Sequence, residues 1–161
     1  MYFLLDWQDI VGLALAAFLG AIIGLEREVH DKPAGLRTNM LICLGAAIFT
    51  TISRYLEVGD GFANARITAQ VVTGVGFLGA GAIIRDRGGV HGLTTAAGIW
   101  LVAGIGVACG AKYYDLAIIS AALVFVVLLG LSFVPKNIRY RQHGHTDNEI
   151  DDQKQAEQKE D

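Results

Sequence analysis

Phe18-Leu19-Gly20-Ala21-Ile22-Ile23-Gly24-Leu25-Glu26-Arg27-Glu28, followed by Pro33-Ala34-Gly35-Leu36-Arg37-Thr38-Asn39, is the stretch that decides the fold. An apolar helix studded with glycine runs directly into Glu-Arg-Glu. A short charged loop turns through Pro33 and Gly35, and Thr38 and Asn39 open the next apolar run. This is the pattern of two membrane helices joined at the membrane surface. It returns later in the chain. Phe77-Leu78-Gly79-Ala80 repeats Phe18 to Ala21, and Arg85-Asp86-Arg87 stands where Glu26-Arg27-Glu28 stood. Gly92-Leu93-Thr94-Thr95 then echoes Gly35-Leu36-Arg37-Thr38 after a two-residue deletion. Self-similarity of this kind marks a duplicated structural unit.

Composition agrees with a membrane chain. Of 161 residues, 53% are hydrophobic and 18% charged, against roughly 25% charged in soluble domains. Ile10–Leu25, Met40–Ile52, Ile67–Ile84, Ala96–Gly110 and Leu116–Val134 contain no ionisable residue except cysteine. A helix needs about 20 residues to cross the hydrocarbon, and uncharged polar neighbours extend the shorter runs. The expected fold is therefore all-α and polytopic. Helices 1–2 and 3–4 form an internal parallel repeat, and a fifth helix, bulky and aliphatic from Val124 to Leu129, lies at the periphery. Three regions are expected: an interfacial lead-in over 1–9, a transmembrane domain over 10–135, and a basic then acidic disordered tail over 136–161. Trp7 is placed to anchor the lead-in at the interface, while Asp6 and Asp9 are expected in water. The lead-in has no basic region or small-residue cleavage site, so the first span is expected to be retained.

Small residues recur at helical spacing. Gly12, Ala16, Gly20 and Gly24 fall at steps of four and form a ridge along which another backbone can come close. Gly106 and Gly110 repeat that spacing in span four. Gly76 and Gly79 are expected to serve close packing in span three. Gly74 to Gly79 also reads formally as Gly-x-Gly-x-x-Gly. It lies inside an uncharged run of membrane length, which excludes a dinucleotide fingerprint, since that requires a preceding strand. Cys43 and Cys109 lie within spans and read as small packing residues. His143 and His145 flank a glycine in the polar tail, where a solvated segment is the better reading than a metal site.

Five spans place the termini on opposite sides. One side receives Arg27, Lys32, Arg37, Arg85, Arg87, Lys136, Arg139 and Arg141, and the other only Arg54, Arg66 and Lys112. Because positive loops stay in the cytoplasm, the N-terminus is expected outside and the C-terminus inside. Both charged hairpin loops then face the cytoplasm. The net charge of −3 comes mostly from the tail, and without a basic patch no nucleic-acid partner is implied.

The charged ends of spans one and three have complementary sign patterns. Were the two spans neighbours, Glu26 would meet Arg85 and Arg27 would meet Asp86. Together with Glu28, Arg37 and Asn39 these residues form the candidate functional polar cluster. Two readings stand beside each other: a vestibule that binds an ion or a partner, and interfacial charges that fix topology. No nucleophile-base spacing links the histidines to the cysteines, so an enzyme is not expected. A cation transporter or channel remains an alternative, and any site for it would use Glu26, Glu28 and Asp86, because no acid lies deep within a span.

The ordered motifs Gly24 to Glu28, Ala34 to Asn39, Gly74 to Gly81, Ile84 to Asp86 and Gly92 to Ala97, with Trp100, resemble the MgtC/SapB family of bacterial inner-membrane proteins. The resemblance covers most of Ile10–Val134. It implies a multi-pass protein linked to growth at low magnesium, to membrane energetics and, in pathogens, to survival inside macrophages. It also implies a regulator of other membrane proteins rather than an established transporter. No cofactor is implied beyond Mg²⁺. The implied partners are the lipid bilayer and a second copy or another membrane protein. Longer members carry a folded cytoplasmic domain after the last helix, whereas this chain has a short acidic tail there and resembles the short, SapB-type form.

Overall fold

The computed structural model of the chain describes residues 6–56, 62–86 and 89–130. Helix α1 spans Trp7–Val29 and starts from Asp6, which holds extended backbone. It ends in a left-handed turn. Asp31, at φ 50°, lets the Lys32 amide bond the Arg27 carbonyl and its own amide bond that of Glu28. Such a closure usually uses glycine, and aspartate is among the residues that tolerate the conformation. Helix α2 (Leu36–Tyr55) follows, then α3 (Phe62–Gly81), α4 (Leu93–Gly110) and α5 (Tyr114–Gly130). The α4 terminus uses the same closure, with Lys112 at φ 67°. Between α3 and α4 lies a short antiparallel hairpin, β1 (Ile84–Asp86) and β2 (Gly89–His91), in which Arg85 faces Val90.

Helices α1, α2 and α4 are each long and apolar enough to cross a membrane. Helix α5 is a shorter apolar helix of 17 residues. The chain is an all-α polytopic membrane protein. The second charged loop, between α3 and α4, contains this β-hairpin. The interval between the uncharged runs that end at Ile52 and begin at Ile67 is also partly helical. Arg54 lies in the last turn of α2, where a cation complements the exposed carbonyls, and Arg66 lies in α3. Helix α1 likewise takes in Trp7 to Asp9 from the expected lead-in. Gly59-Asp60-Gly61, whose glycines predict a turn, and the tail over 136–161 lie outside the described residues. Met1–Val127 forms one compact unit; of the second, Leu128–Asp161, the described residues are the last three of α5.

Helices α2 and α4 pack against each other at the centre. Helix α1 packs on both, and α3 packs on both. Exchanging α1 with α3 and α2 with α4 leaves this set of interfaces unchanged, as a parallel repeat about a two-fold axis along the membrane normal requires. The repeat extends to single contacts. A Cβ on Gly20 would stand 2.8 Å from the Asn39 carbonyl oxygen, and one on Gly79 would stand 3.6 Å from that of Ala96. Asn39 and Ala96 each lie four residues after the loop glycine of their repeat.

Hydrophobicity does not drive helices together inside lipid, so close packing must. The α1 ridge meets two partners. Gly12 approaches the Cys109 carbonyl of α4, whereas Gly20 and Gly24 approach Asn39, Met40 and Leu36 of α2. Gly106 and Gly110 of α4 lie on α2, where added Cβ atoms would fall 2.1 Å and 2.4 Å from the carbonyl oxygens of Cys43 and Ala47. Ala16, Ile23, Val102 and the free thiols of Cys43 and Cys109 fill the space between. Gly76 departs from the packing expectation. It is exposed and meets nothing within 4 Å, and Gly74 and Gly81 likewise have no neighbour within that distance. Helix α5 points Ala117, Ala121 and Val124 inward and Leu123, Val126 and Val127 outward.

Candidate functional site

At the charged-loop end, Glu26 and Arg27 are buried in the final turns of α1. Arg27 crosses to α4, where its Nη2 donates to Thr95 Oγ1 at 3.2 Å in a buried contact. His30 Nδ1 lies 2.8 Å from the Glu26 carbonyl oxygen and 3.3 Å from Glu26 Oε1. Both neighbours are acceptors, so the ring that satisfies them holds a proton on Nδ1. Glu26 Oε2 is buried and has no hydrogen-bond partner. Orphaned buried polar atoms are rare because each forgoes its hydration.

The rest of the cluster divides by role. Glu28 Oε2 accepts the Leu36 amide at 2.7 Å, which caps α2 and places a carboxylate at its positive end. A Cβ on Gly35 would stand 2.7 Å from that oxygen, so a larger residue there would push the Glu28 carboxylate out of its present cap position. Asn39 is buried, and its Nδ2 donates to the carbonyls of Ala34 and Gly35, the latter at 2.9 Å. Ala34 holds φ 60°, and Asn39 fixes that turn. Gly92, at φ 87°, meets the Ala82 carbonyl so closely that no other residue fits. Arg37, Arg85 and Asp86 are exposed, with Asp86 Oδ1 3.5 Å from His91 Nε2.

The proposed meeting of Glu26 with Arg85 and Arg27 with Asp86 does not form. The two-fold arrangement sets α1 and α3 on opposite flanks of the α2–α4 pair, so equivalent ends lie apart. Arg27 instead finds a hydroxyl in the second repeat. Thr95 occupies the repeat position of Thr38, which is exposed in the first repeat.

The opposite end holds a denser charge network. Asp9 is buried rather than in water. Its Oδ1 lies 2.9 Å from Arg54 Nη1 and 3.4 Å from Lys112 Nζ, and its Oδ2 accepts the Tyr55 hydroxyl. Arg54 Nη1 also donates to the Gly110 carbonyl at 3.2 Å. Lys112 Nζ reaches Asp6 Oδ2 at 2.7 Å. That hydrogen bond holds the Asp6 carboxyl below its ordinary range and raises the Lys112 ammonium above its own. The left-handed turn at Lys112 directs this contact. Tyr114 adds a hydrogen bond from its hydroxyl to the Gln8 carbonyl. One signal for this network was present in the sequence: the topology gathers Asp6 and Asp9 with Arg54 and Lys112 on one side.

The MgtC family model matches residues 13–137 of the chain. The chain is 43% identical over 132 residues to "Putative magnesium transporter YhiD" of Escherichia coli K12, covering 75% of this chain and 59% of that protein. It is 43% identical over 121 residues to Protein MgtC of Salmonella typhimurium LT2, covering 75% and 51%. It is 44% identical over 115 residues to Protein MgtC of Brucella abortus, covering 71% and 48%. The chain thus spans about half to three-fifths of the curated relatives it matches. No solved structure matches it.

Proposed function

The chain belongs to the MgtC family, and on that premise we propose that it is a non-enzymatic regulator in the bacterial inner membrane. It acts by helix–helix contact with another membrane protein or a second copy, in adaptation to low magnesium and in membrane energetics. Its N-terminus lies outside and its C-terminus in the cytoplasm. The observation that supports this reading is the layer between the two polar ends. Ala16, Cys43, Ala46, Ala47, Val102 and Ile105 are all buried there, and the glycines bring α1, α2 and α4 within backbone contact. A bundle closed at its middle is suited to present a rigid outer surface. It is less suited to pass a hydrated ion, which gives up its waters reluctantly.

A second reading is magnesium or other cation transport, the activity named for the relative YhiD. The specific observation in its favour is the unpartnered, buried Glu26 Oε2. A carboxylate in that state is suited to a cation or a proton.

Reconstitution separates the two. Proteoliposomes holding the full chain are expected to show no Mg²⁺ flux above empty vesicles, while photo-crosslinkers on exposed positions of α3 and α5 capture a discrete membrane partner in cells. Flux that disappears in Glu26→Gln, with no discrete partner captured, would replace the regulator reading with the transport one.

A further inference from the structure

The pseudo-two-fold leaves one interface unfinished. By repeat position, Val71 and Val75 of α3 correspond to Gly12 and Ala16 of α1. The glycine and alanine let α1 close on α4. The valines of α3 are instead buried in one cluster with Ala46 of α2, and beside them an apolar groove of about 360 Å³ lies open between α2 and α3. Leu41, Gly45 and Phe49 of α2 face Val71, Gly74 and Leu78 of α3 across it. Leu41, Phe49 and Leu78 are exposed, and neither Gly45 nor Gly74 has a neighbour within 4 Å.

We infer that this groove seats one acyl chain of an anionic phospholipid from the leaflet on the charged-loop side, with Arg37 and Arg85 holding its phosphate. Arg37 lies one helical turn before Leu41, on the same face of α2. Arg85 follows the end of α3 on the same side of the bundle. Both are exposed, and among the described residues neither has an ion pair or hydrogen bond. The neighbouring Asp86 carboxylate is engaged with His91. Two free guanidiniums on the charged-loop side of an apolar groove match a lipid phosphate in charge. The groove's length suits an acyl chain. From Leu41 to Phe49 it rises about 12 Å, close to one leaflet's share of a ~30 Å hydrocarbon core.

Native mass spectrometry of the purified full chain, titrated with dioleoyl phosphatidylglycerol or dioleoyl phosphatidylcholine, tests this. One phosphatidylglycerol is expected to be retained in preference to phosphatidylcholine. Arg37→Gln and Arg85→Gln should each weaken it about fivefold, and the double variant should erase the preference. Gly74→Leu, whose side chain grows into open space and leaves the fold intact, should lower retention of both lipids. Equal retention of the two lipids by the wild type, or unchanged phosphatidylglycerol retention in the double variant, overturns the inference. A dimer mass lost in Gly74→Leu with lipid retention unchanged also overturns it, and assigns the groove to a second copy.

Discussion

Asp9 of α1 and Arg54 of α2 meet at 2.9 Å, with the carboxylate wholly inside the bundle and the guanidinium one-third exposed. The contact ties the start of the first helix to the end of the second, while Lys112 brings in the end of the fourth. Asp9→Asn removes the charge and leaves Arg54 without its carboxylate, while Lys112 keeps its contact with Asp6. Full burial would make the loss about 3–5 kcal/mol. Partial exposure of Arg54 lowers the expectation to about 2–3 kcal/mol. Thermal unfolding in detergent measures it, and a cycle with Arg54→Gln should show coupling well above zero. Additivity within error would reduce the network to surface decoration.

The Asp6–Lys112 pair makes a pH prediction. The Asp6 pKa is lowered from 3.8, so its contribution is present above that value and is lost as pH falls through the lower folded value. The Lys112 pKa is raised from 10.5, so its contribution is present below that value and is lost as pH rises through the higher folded value. The pair therefore contributes evenly across neutral pH. Lys112→Met should flatten both edges of a melting-temperature profile relative to wild type. Edges that stay in place would remove the pair from the account.

Small-residue contacts divide the glycines into two groups. Gly106→Ala puts a methyl group into the Cys43 carbonyl and is expected to cost at least about 1–3 kcal/mol of bundle stability. Gly24→Leu should behave at least as severely. Gly98→Ala, with nothing within 4 Å, should be neutral or slightly stabilising through helix propensity. Leu123→Ala, on the outer face of α5, should change little. Retained detergent stability for Gly106→Ala would contradict the α2–α4 interface.

Arg27 and Thr95 should couple where Glu26 and Arg85 do not. A hydrogen bond from a charged donor to a buried hydroxyl contributes about 1.5–3 kcal/mol, so the cycle of Arg27→Met with Thr95→Val should show coupling of that order. The Glu26→Gln and Arg85→Gln cycle should be additive, because α1 and α3 are not packed neighbours. Strong coupling in the second cycle would mean the halves meet differently in the membrane.

Orientation is tested by thiol labelling of single cysteines in a Cys43→Ser, Cys109→Ser background. Lys32→Cys should react only from the cytoplasmic side and Tyr113→Cys only from outside. Both positions are exposed. Reaction of both from one face would refute the topology.

The helices and their repeat are legible because a bilayer imposes its length and polarity on every span, and because Gly20 and Gly79 mark equivalent backbone approaches. The ridge of Gly12 to Gly24 is legible as a ridge, but spacing alone does not say that it meets α4 at one end and α2 at the other. Asp9 is hidden for a related reason. Its burial depends on Arg54, Tyr55 and Lys112, which arrive from distant positions. The β-hairpin escapes because Ile84–Asp86 and Gly89–His91 are too short and too exposed to leave an alternating pattern. Pairing α1 with α3 fails because matching signs at equivalent ends say nothing about which side of the axis each end occupies.

The contact between Arg27 and Thr95 joins residues 68 positions apart, and this sets an order on assembly. When the first hairpin has been made, its buried arginine has no hydroxyl to meet, and Gly12 and Cys43 have no fourth helix to lie against. Two helices and a hairpin must pass the ribosome or take their places before those surfaces close. The first half is therefore born with an open seam, and the fourth helix is the piece that locks a structure begun at the other end of the chain.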